Sequence, residues 1–126
     1  MKRINAEPLS ADNQRYRTAG DFWEDEKTMQ FRITDQENED YEILIFLHEF
    51  IEFVLTRKRG ISEPSITEYD IQWNKDLESG LPMADEPGNE PGCIYSKEHR
   101  FAENMERLLA HELGIDWFEY ESKLKI

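Results

Sequence analysis

Cysteine is almost absent from this chain: Cys93 is the only one in 126 residues. An intramolecular disulfide is therefore impossible, a thiolate metal cluster is excluded, and a reducing compartment suits the protein. Long apolar runs are missing as well. The longest, ILIFL at residues 43–47, falls far short of the roughly 20 residues that a membrane span needs. The opening stretch, MKRINAEPLSADNQ, has two basic residues but no apolar segment, so it does not read as a secretory signal. A soluble, cytoplasmic protein is expected. Positive charge is scarce: 15 Lys and Arg stand against 28 Asp and Glu, a net charge of −13. Such a field repels nucleic-acid backbones and anionic membranes, so direct binding to either is not expected. It suits cations, basic protein surfaces, or solubility alone. There is no glycine-rich phosphate loop, no nucleophile elbow and no basic patch, and Trp23, Trp73 and Trp117 are too scattered for a stacking platform.

What is present fits one domain of ordinary size, with 38% hydrophobic residues to supply a modest core. The pattern predicts an α+β fold, mainly helical: an N-terminal β-hairpin packed on two long helices, plus a short C-terminal helix. Residues 1–14 are polar and read as loosely held. Met29, Phe31 and Ile33 alternate with Gln30, Arg32 and Thr34, the period of a half-buried strand, and Asp25, Glu26 and Lys27 mark the hairpin turn. Asn38, Glu39 and Asp40 announce a helix over residues 41–58, closed by Arg57, Lys58 and Arg59 and by Gly60 as C-cap. Its core face is read as Ile43, Leu44, Leu47, Phe50, Ile51, Val54 and Leu55. ISEPSITEYDIQW is left between helix and extended chain. Residues 74–95, with three prolines and three glycines, read as a long acidic loop, and loops of that length are often functional. A second long helix spans residues 96–113, its core stripe read as Phe101, Ala102, Met105, Leu108, Leu109 and Leu113. Asp116 caps the last short helix.

Each long helix carries a histidine and a carboxylate four residues apart, hence one above the other. His48 and Glu52 form the first pair, read as lying on the flank of the apolar face, with Glu49 turned toward solvent or a cleft. His99 and Glu103 form the second, with Glu106 on the same stripe. Antiparallel packing would bring His48, Glu52, His99 and Glu103 or Glu106 together as ligands for one divalent ion, zinc first, then manganese or magnesium. H-E-x-x-E differs from the zinc-protease H-E-x-x-H by one ligand, and Glu49 stands where a general base would. A plainer reading makes each histidine a hydrogen-bonded structural residue in an acid-rich chain. Asp70 is a further candidate ligand, although a helix cap or turn is the simpler role for it. Glu98 and Glu112 fall on the apolar face of the second helix, where they are either buried ion-pair partners or, the simpler reading, exposed near helix ends; His111 reads as exposed, Cys93 as a buried thiol, and Tyr95 as a hydrogen-bond donor or packing residue.

Taken together, YEILIFLHEFIEFVLTRKRGI, EYD and EPGNEPGCIYSKEHRFAENMERLLAHELGIDWFEYE resemble a family of small uncharacterised bacterial and phage-associated proteins. That resemblance implies an H-E-x-x-E helix at His48, Glu49 and Glu52. It further implies an acidic Pro-Gly loop at Glu90, Pro91 and Gly92, and a Y-x-x-x-H-x-x-A-x-x-x-E helix at Tyr95, His99, Ala102 and Glu106. It favours Glu106 over Glu103. Since His99 and Glu106 lie roughly 10 Å apart along a helix axis, Glu106 would orient a histidine rather than share its ion. The functional expectation is a divalent-metal-binding protein, a metal-dependent hydrolase of a small-molecule or peptide substrate with Glu49 as base. The alternative is a non-enzymatic acidic protein of phage or mobile-element origin, binding a host protein or mimicking DNA, with a structural His/Glu network.

Overall fold

A computed structural model describes all 126 residues. The architecture is α+β and mainly helical, with a small N-terminal sheet, three helices of 16 to 20 residues of which the first packs on the sheet, and a short C-terminal helix. Strand β2 (Gly20–Glu24) turns at residues 25–27 into β3 (Thr28–Thr34), the expected hairpin. Asp25 holds the turn, its carboxylate accepting from the backbone N–H of Lys27 and Thr28. Residues 3–9 are not loose, as their polarity suggested. They form β1 (Arg3–Leu9), which pairs in parallel with β3 in a sheet of order β1-β3-β2. An edge strand can be polar because one edge and one face meet water, so composition alone misjudged it.

Helix α1 (Glu39–Lys58) lies over the sheet. Asn38 caps it, accepting from the N–H of Tyr41, and Gly60 ends it at φ 75°, a conformation that suits glycine. Met29, Phe31 and Ile33 point up from β3, and Phe31 meets the rings of Phe46 and Phe53 at 5.3 and 5.5 Å. The undecided segment is helix: α2 (Glu63–Glu78), capped by Ser62 with Pro64 in its first turn, where a missing N–H costs nothing. The loop therefore begins later than expected, after Glu78, and contains one 3₁₀ turn at Pro87–Asn89. Helix α3 (Ser96–Glu112) runs antiparallel to α1, and α4 (Trp117–Lys123) follows the Asp116 cap, whose carboxylate accepts from the N–H of Glu119. No helix is long and apolar enough to cross a membrane.

Both long helices are rotated from the expected phase. On α1 the buried residues are Leu44, Ile45, His48, Glu52, Phe53 and Thr56, while Ile43 and Val54 are 42% and 44% exposed. On α3 they are Glu98, His99, Ala102, Glu106 and Ala110, while Phe101, Met105, Leu108 and Leu113 are exposed. His48 and Glu52 thus occupy the centre of the inward face of α1, not its flank. Glu98 is buried rather than exposed at a helix end, its carboxylate held by Arg59 at 2.6 Å. Hydrophobic periodicity locates an apolar stripe, but it does not say whether that stripe meets this chain's core or another surface.

Phe31 is completely buried between sheet and helix. Phe31→Ala should cost about 3–5 kcal/mol of unfolding free energy, read from urea midpoints at unchanged m-value.

Candidate metal centre

The polar faces of α1 and α3 meet at Glu52. Its Oε2 lies 2.7 Å from Nε2 of His48, one turn back on the same helix, and 2.6 Å from Nδ1 of His99 across the interface. The two imidazole nitrogens are 3.1 Å apart. Small residues make this approach possible: Ala102 and Ala110, fully buried on α3, leave room for α1. Each outer histidine nitrogen is held in turn. Nδ1 of His48 lies 2.8 Å from Glu106, whose other oxygen accepts from the Tyr120 hydroxyl at 2.5 Å. Nε2 of His99 lies 2.6 Å from Glu86.

This is the pattern of a carboxylate–histidine–metal site, in which an outer carboxylate fixes each ring and raises its basicity. Tetrahedral zinc bonds of roughly 2.0–2.1 Å place ligand atoms about 3.3 Å apart. The three atoms here form a triangle of 2.6, 2.7 and 3.1 Å, slightly tighter, so the triangle would have to open a little to take an ion. Without an ion, protons on the two facing nitrogens crowd one carboxylate oxygen. A single divalent ion would take the place of both.

The electrostatics follow from burial opposed by pairing. Burial works against charge on His48, yet Glu52 and Glu106 outweigh it and hold that ring well above its ordinary 6.5. For His99 burial is likewise overcome, by bonds to Glu52 and Glu86, and its value rises to about 10. Burial would raise Glu52, but the two histidines bring it down to about 2.

The site opens into a cavity of about 550 Å³ between the sheet, α2, the loop and α4. Glu49 and Asp70 line it, with Asp21 on β2. Glu49 faces this cleft and not bulk solvent. Burial, reinforced by the charge of Glu52, keeps its carboxyl well above the ordinary range. Asp70 is neither a cap nor a turn residue. It sits buried on α2, accepting from the hydroxyls of Tyr95 at 2.6 Å and Tyr16 at 3.1 Å, and burial raises it to about 7 despite those bonds.

The expected convergence of His48, Glu52 and His99 is observed, and those three form one group able to hold an ion. Glu106 joins as the residue that orients His48. Glu103 does not reach this triangle. It faces Arg107 and belongs to a second grouping with Glu86 and the far nitrogen side of His99. Cys93 is a buried thiol, raised by burial to about 11, and His111 is exposed.

Glu86, Tyr16, Asp21 and Tyr120 were not anticipated. Of these only Glu86 had a sequence signal, the EPGNEPG doublet, whose halves have separate tasks. Glu86 reaches His99, whereas Glu90 staples the loop by accepting from the N–H of Met83 and Ala84 and from Trp73 Nε1. Gly88 lies flat on the His99 ring, and a Cβ there would come within 2.4 Å of it. Gly20 gives Glu49 the same clearance, at 2.5 Å. Comparison with protein-family models, with characterised proteins and with solved structures gives no match.

Stripped of divalent ions, the protein should lose stability on the alkaline side. The raised His99 contributes fully below pH 6.5 and nothing once pH passes about 10. Asp70 adds loss between 3.8 and about 7, because its folded state prefers the proton. Glu52 acts oppositely: its contribution is present above 4.5 and disappears as pH falls through about 2. Thermal melts from pH 6 to 10 in chelator should show a falling midpoint, with a shallower slope in His99→Gln. Equal slopes would refute the assignment.

Proposed function

We propose that this chain binds one divalent metal ion, zinc in preference to manganese or magnesium, on His48, Glu52 and His99, and hydrolyses a small-molecule or peptide substrate. One observation carries the reading: two histidines from separate helices converge on one buried carboxylate, each backed by a further carboxylate. A structural histidine needs one partner; this arrangement supplies two to each ring and a cavity beside them. The motifs of the uncharacterised bacterial and phage-associated family that the chain resembles fall on these same residues.

The ion would act as a Lewis acid and lower the pKa of bound water. Glu49 stands beside the triangle without a hydrogen-bond partner, and the positive charge of an ion would favour its ionised form, as a general base requires. Tyr95 and Tyr16 fix Asp70 on another wall, where its carboxyl can donate to or accept from a substrate near neutral pH. Glu106 and Glu86 hold the histidine rings in register. The alternative of a host-protein ligand or DNA mimic calls for carboxylates spread over an outer face. Asp21, Glu49, Glu52 and Asp70 instead converge on one cavity, which supports an enzyme. A single buried thiol suits the cytoplasm.

Elemental analysis of protein purified without an affinity tag should find about one equivalent of metal, lost in His48→Ala and His99→Ala. Zinc at about 100 times its dissociation constant should stabilise the wild type by about 2.7 kcal/mol. Glu49→Gln should keep its metal and lose about 10²–10⁴-fold in hydrolysis on a peptide and ester panel. Protein without stoichiometric metal, and unmoved in its melting by zinc, manganese or magnesium, would sink the proposal.

A further inference from the structure

Helix α3 turns its polar side inward and its apolar side out. Phe101 and Leu108 are 51% and 62% exposed, with Met105 between them at 36%. On the adjoining outer side of α1, Ile43 and Val54 are 42% and 44% exposed. Large aliphatic and aromatic side chains repeated at helical spacing on two neighbouring helices are unusual on a free surface.

Exposed charges near the ends of the two helices are placed symmetrically along the chain. On α3, Lys97 and Glu112 lie at equal distances either side of the point between Asn104 and Met105, and Phe101 and Leu108 are related by the same midpoint. On α1, Glu39 and Lys58, and likewise Ile43 and Val54, are placed symmetrically about the point between His48 and Glu49. The two midpoints are nearly level, since His48 contacts both His99 and Glu106 across the antiparallel pair.

We propose that the outer α1/α3 face is a two-fold interface occupied by a second copy of this chain. A two-fold axis in the plane of the face, perpendicular to the helices, sets each helix antiparallel to its own counterpart. Lys97 then meets Glu112 of the partner subunit, and Glu39 meets the partner subunit's Lys58. The apolar residues close against one another between these charged ends. An isologous contact requires a self-complementary patch of this kind. At its ends this register sets acid against base and not like on like, which offsets locally the repulsion between two chains of net charge −13. The interface lies on the far side of the helices that carry His48, Glu52 and His99, so it leaves the cavity open and is independent of the metal reading.

Sedimentation equilibrium and light scattering on the full chain test this. The wild type is expected at twice the 15.1 kDa chain mass in the micromolar range. Phe101→Glu and Leu108→Glu, exposed in the monomer and so neutral to its fold by circular dichroism, should weaken dimerisation about tenfold or more. Lys97→Glu should also weaken it, and the double variant Lys97→Glu/Glu112→Lys should restore it, which identifies the two-fold register. A monomeric wild type at hundreds of micromolar, a dimer indifferent to Phe101→Glu and Leu108→Glu, or a charge swap without rescue would each overturn the proposal. So would a monomer that binds neutral phosphatidylcholine vesicles through this face.

Discussion

A carboxylate buried between two helices must be paired, because an isolated charge in the interior costs several kcal/mol or more. Glu52 is that carboxylate, and much of the molecule is arranged around it. It draws His48 from its own helix and His99 from the opposite one. Those rings, once buried, need partners for their outer nitrogens, and Glu106 and Glu86 supply them. Glu106 in turn requires the Tyr120 hydroxyl, which fixes α4. Glu86 requires a loop folded tightly onto His99, which demands glycine at position 88. Removing one member of such a network leaves others buried and unpaired, so its residues are coupled and not additive.

This constraint also sets how the helices present themselves. With the inward faces of α1 and α3 committed to His48, Glu52, His99 and Glu106, the apolar core is left to the sheet side of α1. There Phe22, Phe31 and Phe53 form a compact aromatic cluster. Of the large apolar residues of α3, Leu109 still packs against the core, whereas Phe101, Met105 and Leu108 turn outward. The cavity beside the polar seam and the greasy outer surface are thus two consequences of one arrangement.

Much of this was legible in the residues. The hairpin, both long helices, the caps of the first and the short last helix follow from alternation, helical spacing, Asn38, Gly60 and Asp116. The triad of His48, Glu52 and His99 could be picked out because a histidine–carboxylate pair at i, i+4 occurs twice on helices that must pack together. The roles of Glu106 as orienter and Glu49 as cleft residue were also within reach. Helix α2 was harder, because its polar length and Pro64 blur the pattern until Ser62 is seen to cap it. Strand β1 has no apolar alternation to announce it. Glu86 lay hidden in a doublet whose two acids look alike.

The sequence by itself determined the hairpin, the two most strongly patterned helices, the short last helix and the candidate ligand types, since caps, periods and i, i+4 pairs are local properties of a chain. Only the tertiary structure decided which face of each helix turns inward. Apolar burial favours one rotation of α1 and α3, while pairing a set of buried charges favours another. The balance depends on contacts between residues about 50 positions apart, such as His48 with Glu106 and Glu52 with His99. No local pattern records that competition, and here the charged side won.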